Sequence, residues 1–231
     1  MSSNTPPSRD IKTQGIVLRR TNYGEADRIL AIITPEGKMS VMARGVRKPK
    51  SRLAGGVEMF TVSEMMVHVG RAELGALTGA RMVEHYEGIM KDYNKMMLAG
   101  AVLKQVSKAS EQVKSEKWFE VTRQTLKGLN GDEVDSKMIE AWAWLNLVRA
   151  GGEEINLYRD VQGEKLNADT RYEWDVGEEA FAVRENGGYG ADEIKLLRLM
   201  VATGLDTIKR VKLRSEMLDK MLKFSQIIAR R

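Results

Sequence analysis

The chain has 231 residues, 42% of them apolar, which suffices for a core in one large or two small domains. It has no cysteine, which excludes disulfides and thiolate metal sites and points to a reducing, cytoplasmic setting. No run of 18 apolar residues occurs and the opening MSSNTPPSRD is polar, so neither a membrane span nor a secretory signal is expected.

The net charge of +5 is unevenly spread. Residues 1–80 hold 12 Lys and Arg against 7 Asp and Glu, residues 81–204 hold 17 against 22, and residues 205–231 hold 8 against 3. Basic ends around an acidic middle suggest a polyanionic partner for the ends.

In chain order, the first 85 residues read as strands. Ile11–Arg20, Arg28–Thr34, Lys38–Ala43, Val57–Val69 and Leu74–Tyr86 are rich in Ile, Val, Met and Thr with partial alternation. Thr34-Pro35-Glu36-Gly37-Lys38 has the Pro and Gly of a tight hairpin. Five short strands match a small closed barrel, and a five-stranded sheet with an exposed face fits the count equally well. Helical spacing then follows at Tyr93–Val113, Ser115–Leu129 and Val134–Ala150. Residues 151–190 form a turn-rich lobe, and two helices, Ala191–Thr203 and Asp206–Arg230, close the chain. The fold class is α+β, with a domain at 1–86 and a mostly helical one at 87–231 that includes the lobe.

Catalytic signatures are missing. There is no G-x-x-x-x-G-K-[ST] loop, and Gly187-Gly188-Tyr189-Gly190 lacks the strand–turn–helix context of a dinucleotide site. His68 and His85 have no partner ligands at zinc spacing, and Glu153-Glu154 and Glu178-Glu179 are adjacent pairs that point apart. No cofactor or metal is expected, nor an enzyme.

One segment stands out. KMSVMARGVRKPKSR carries Lys38, Arg44, Arg47, Lys48, Lys50 and Arg52 without an acid. Cations on a strand and its outgoing loop can track a phosphate backbone, each contact releasing a counterion. Arg19 and Arg20 end the first strand upstream, and Tyr23 offers a ring for base stacking.

These segments, GIVLRRTNYGEADRIL, TPEGKMSVMARGVRKPKSR and ELGALTGARMVEHY (Glu73–Tyr86), resemble the RecO family of bacterial recombination mediators. The resemblance implies an oligonucleotide-binding (OB-fold) barrel followed by a helical domain. It also implies binding of single- and double-stranded DNA, annealing, and help in loading RecA onto SSB-coated strands, with RecR and the acidic C-terminal tail of SSB as partners. The implied DNA contacts are Arg19, Arg20, Arg28, Arg44, Arg47, Lys48, Lys50 and Arg52. Glu25 and Asp27 match the family motif and are expected to hold the loop, for instance by pairing with Arg28 or Arg20. Many family members bind zinc through four cysteines in the lobe; none is present here, so Leu157, Tyr158, Tyr172, Trp174 and Phe181 are expected to hold it by packing. A protein–protein adaptor and an RNA-binding barrel are the alternative readings.

Overall fold

The computed structural model describes residues 9–70 and 74–230; Glu73 of the third motif lies outside them. The chain divides into two compact units, Met1–Gly131 and Asp132–Arg231. The change of texture at residue 86 falls inside the first unit, which holds both the strands and the first two helices.

In the first unit five strands, β1 (Arg9–Tyr23), β2 (Asp27–Thr34), β3 (Gly37–Ala43), β4 (Thr61–Val69) and β5 (Gly75–His85), close into a barrel of order β1-β2-β3-β5-β4. All neighbours are antiparallel except β3 and β5, which run parallel where the chain crosses over. Sequence alternation sets the two faces: Val17, Leu30, Ile32, Val41, Met65, Val67 and Leu77 fill the interior. A bulge between Val17 and Arg19 shifts the register of β1 against β2. It places Leu18 and Arg19 together in one outer groove. This is the oligonucleotide-binding architecture that the strand count left open.

Helices α1 (Tyr93–Ala109) and α2 (Lys117–Asn130) complete the unit. Asp92 caps α1, accepting from the N–H groups of Asn94 and Lys95, at 2.8 and 3.0 Å. The end of β5 is tied to α2 through Glu84, which accepts from the buried Tyr86 hydroxyl (2.6 Å) and from Arg123 Nε (2.8 Å). Burial raises the Glu84 carboxyl, but the Tyr86 and Arg123 hydrogen bonds outweigh it and hold the group below its ordinary range.

The second unit contains α3 (Ser136–Ala150), a two-stranded sheet of β6 (Tyr172–Asp175) and β7 (Ala180–Val183), then α4 (Ala191–Ala202), α5 (Leu205–Ile208) and α6 (Ser215–Ala229). The single closing helix expected over Asp206–Arg230 is in fact two pieces separated by an irregular stretch. One helix would have stacked Arg210 on Arg214 at i,i+4, a repulsive pairing, while Ser215-Glu216 suits a fresh helix start.

The lobe is held by rings. Trp174 and Phe181 meet edge to face at 5.0 Å, Trp174 meets Phe224 of α6 likewise at 5.0 Å, and Phe181 stacks on Phe224 at 5.9 Å. Tyr189 joins them, 5.4 Å from Phe181, and burial pushes its phenol up to about 12. Leu157, Tyr172, Trp174 and Phe181 are buried as expected; Tyr158 is not. Tyr158 is 59% exposed, with the Arg198 guanidinium 4.6 Å above its ring, a cation–π contact on the surface. The chain has no cysteine, and among the described residues no three His, Asp or Glu side chains group as a metal site, so the family's zinc does not fit here.

Candidate nucleic-acid interface

The connection from β3 to β4 is built from two kinds of residue. Val46 and Val57 are buried in the barrel core with Leu53 packed against them, so the loop plugs one end of the barrel. Between these anchors Arg44, Arg47, Lys48, Lys50 and Arg52 are all exposed. The apolar positions fix the backbone and the cations take what is left, the outward side.

Two backbone features set the loop's course. Gly45 has φ of 63°, which a side chain adopts only with strain, and its N–H donates to Asp27 Oδ1 at 2.7 Å. Gly56 passes so close to β5 that a Cβ there would lie 2.6 Å from the Ala80 backbone. Arg47 N–H donates to Ala26 O at 2.9 Å and its guanidinium reaches Gly24 O at 3.3 Å, fastening the loop to the β1–β2 hairpin.

Asp27 therefore holds the loop through a backbone N–H. Arg20 pairs with Glu58 at 2.7 Å, and Arg28 donates to Asn22 Oδ1 at 3.2 Å, so neither is taken up by the motif's acids. Asp27→Ala is expected to speed hydrogen exchange of the Gly45 amide about tenfold, whereas Asp27→Asn, which keeps an acceptor oxygen, is expected to have little effect. Unchanged exchange in the alanine variant would remove Asp27 from this role.

The ten sequence-selected residues fall into four places. Arg44, Arg47, Lys48, Lys50 and Arg52 share the loop, with Arg28 and the 56%-exposed Tyr23 at the hairpin to which it is tied. Among the described residues none of the five loop cations has an ion-pair partner, which leaves them available to an outside anion. Arg20 is half-buried and neutralised by Glu58. Lys38 lies at the other end of β3, six residues and about 20 Å from Arg44. Its ammonium donates to Ser107 O at 2.7 Å and pairs with Glu111 at 2.5 Å, clamping α1 to the barrel. That hydrogen bond holds the Glu111 carboxyl below its ordinary range.

Arg19 belongs to neither end. It lines a groove of about 480 Å³ between β1 and α1 together with the apolar Leu18, Met59 and Leu103 and the charged Lys104, Lys108 and Glu111. Lys104 and Lys108 escaped sequence reading because they sit in a stretch whose overall charge is negative. Division at the compact-unit boundary shows the true distribution: residues 1–131 hold 21 Lys and Arg against 13 Asp and Glu, and residues 132–231 hold 16 against 19. The barrel unit is the basic one, helices included.

A closed five-stranded barrel of this order, followed in the chain by helices, defines the class of proteins with an oligonucleotide-binding (OB) fold. Residues 9–86 match the family model for the recombination protein O N terminal region, and residues 90–230 the model for its C terminal region. The chain belongs to the RecO family. It is 33% identical over 151 residues to the DNA repair protein RecO of Roseiflexus sp. (strain RS-1), a match covering 65% of this chain and 53% of that one. With the DNA repair protein RecO of Bacillus cytotoxicus it shares 38% over 117 residues, 50% of this chain and 47% of that one. With that of Halalkalibacterium halodurans it shares 34% over 121 residues, 52% and 47%. These matches span about half the length of the relatives. No helix among the described residues is long and apolar enough to cross a membrane.

Proposed function

We propose that this chain is a non-enzymatic DNA-binding mediator of repair and recombination, acting in the cytoplasm. It binds single- and double-stranded DNA through the β3–β4 loop, promotes annealing, and assists RecA loading on SSB-coated strands alongside RecR. The observation carrying this reading is the loop itself: five exposed cations without acidic partners on a backbone pinned to the barrel end. Two polyanions repel, so a protein that neutralises the phosphates of one strand while leaving its base edges free lowers the barrier to pairing without ATP. Contacts of this kind release counterions. With five of them, the slope of log K against log salt for a single strand is expected near about −3.5, measured by anisotropy of a labelled oligonucleotide. A flat response would exclude the loop as the site. Equal or tighter binding of the matching RNA would favour the RNA-binding alternative.

The groove between β1 and α1 favours a second activity on the same protein, that of an adaptor. Its apolar lining with Arg19, Lys104 and Lys108, and with Glu111 already paired to Lys38, suits an acidic peptide bearing an apolar side chain, the chemistry of the SSB tail.

A further inference from the structure

The break between α5 and α6 leaves an irregular stretch, Lys209–Arg214, whose burial alternates: Arg210, Lys212 and Arg214 are exposed, Val211 and Leu213 half-buried. The backbone still turns at its start, where the Arg210 N–H donates to Thr207 O at 3.2 Å and the Val211 N–H to Ile208 O at 2.9 Å, and the three cations lie within five residues, all exposed to solvent. Arg214, at φ −74° and ψ 150°, is extended and is also the N-cap residue of α6.

This strip has no counter-charge, although acid is abundant in its unit. Residues 132–204 hold 16 Asp and Glu against 8 Lys and Arg. Neighbouring Lys209 is neutralised by Asp206 at 3.2 Å and Glu133 at 3.8 Å. Among the described residues Arg210, Lys212 and Arg214 pair with none. The strip also leads onto the start of a 15-residue helix that no side chain caps, where free N–H groups and the helix dipole favour an anion. Glu216 in that first turn is drawn to Lys220 at 3.6 Å. Three unpaired cations within five residues, running to an uncapped helix start, suit a chain that carries one charge per nucleotide. They fit an acidic peptide with an apolar anchor less well, because the apolar residues between them, Val211 and Leu213, are themselves half-buried.

We propose that Arg210, Lys212 and Arg214 hold the phosphate backbone of a second nucleic-acid strand on the helical unit, separately from the strand held by the barrel loop. The proposal rests on the DNA-binding reading above and adds to it where the second partner of an annealing reaction is bound.

The test uses the full chain as wild type, as Arg210→Glu/Lys212→Glu/Arg214→Glu, and as Lys48→Glu/Lys50→Glu. Anisotropy with labelled oligo-dT at limiting protein reads the first strand. Energy transfer between donor- and acceptor-labelled oligo-dT, which cannot pair with each other, reads capture of two strands by one molecule. The strip variant is expected to keep first-strand affinity within about threefold while losing at least about tenfold in two-strand capture and in the annealing rate of complementary oligonucleotides. Unchanged capture and annealing would overturn the proposal. So would a loss of first-strand affinity as large as the loop variant's, since the two would then be one site. So would loss only of binding to an acidic peptide. Should the reversed variant misfold by circular dichroism, the glutamine triple variant supplies the same comparison. Wild-type protein that binds no DNA would sink the DNA-binding reading itself, an outcome distinct from failure of the strip.

Discussion

Lys48→Glu/Lys50→Glu is expected to weaken single-strand binding on the order of a hundredfold, equally for every sequence tested, and to reduce the salt slope by about 1.4. Both side chains are exposed, and the loop's position depends on Val46, Val57, Gly45 and Gly56 rather than on them, so the variant should fold normally. Uniformity across sequences is the discriminating feature. Phosphates carry no base information, so a loss confined to one oligonucleotide would mean that the loop reads bases. Arg20→Ala serves as the contrast: with its guanidinium already paired to Glu58, its removal is expected to change affinity only slightly. A large effect there would show that the Glu58 pair opens to receive DNA.

Phe181→Ala is expected to destabilise the second unit by about 3–5 kcal/mol, because Phe181 is fully buried and touches four other rings. Denaturant unfolding followed by tryptophan fluorescence would read this, since Trp174 lies 5.0 Å from Phe181. Phe181→Leu is expected to recover part of the loss. With aromatic packing in place of a metal, a chelator should leave the wild-type transition where it was. A chelator-induced drop in melting temperature would show that packing is not what holds the lobe.

The barrel was legible in the sequence because its five strands carry their own punctuation, with Pro35 and Gly37 marking one hairpin and Gly24 another. Closure was not legible: five alternating segments suit an open sheet too, and only pairing of β1 with β4 and of β3 with β5 separates them. The loop cations were legible as a run without acids. The grouping of the rest was not, because linear proximity ignores direction. Lys38 is near Arg44 in sequence but lies far along a rigid strand and faces α1, while the bulge sends Arg19 to the groove it shares with Lys104 and Lys108. The closing helix was overextended because apolar spacing continues across Val211 and Leu213, and spacing alone does not register crowding of like charge.

The β3–β4 connection separates two demands that often conflict. Its foundation is hydrocarbon sunk in the barrel, and its outward ornament is charge in water. Positions 44, 48, 50 and 52 can therefore gain or lose cations with little penalty in folding, since isolated exposed substitutions usually shift stability by less than about 0.5 kcal/mol. Grip on a polyanion becomes an adjustable setting, retunable to a saltier or more dilute cell one side chain at a time while the scaffold underneath stays the same.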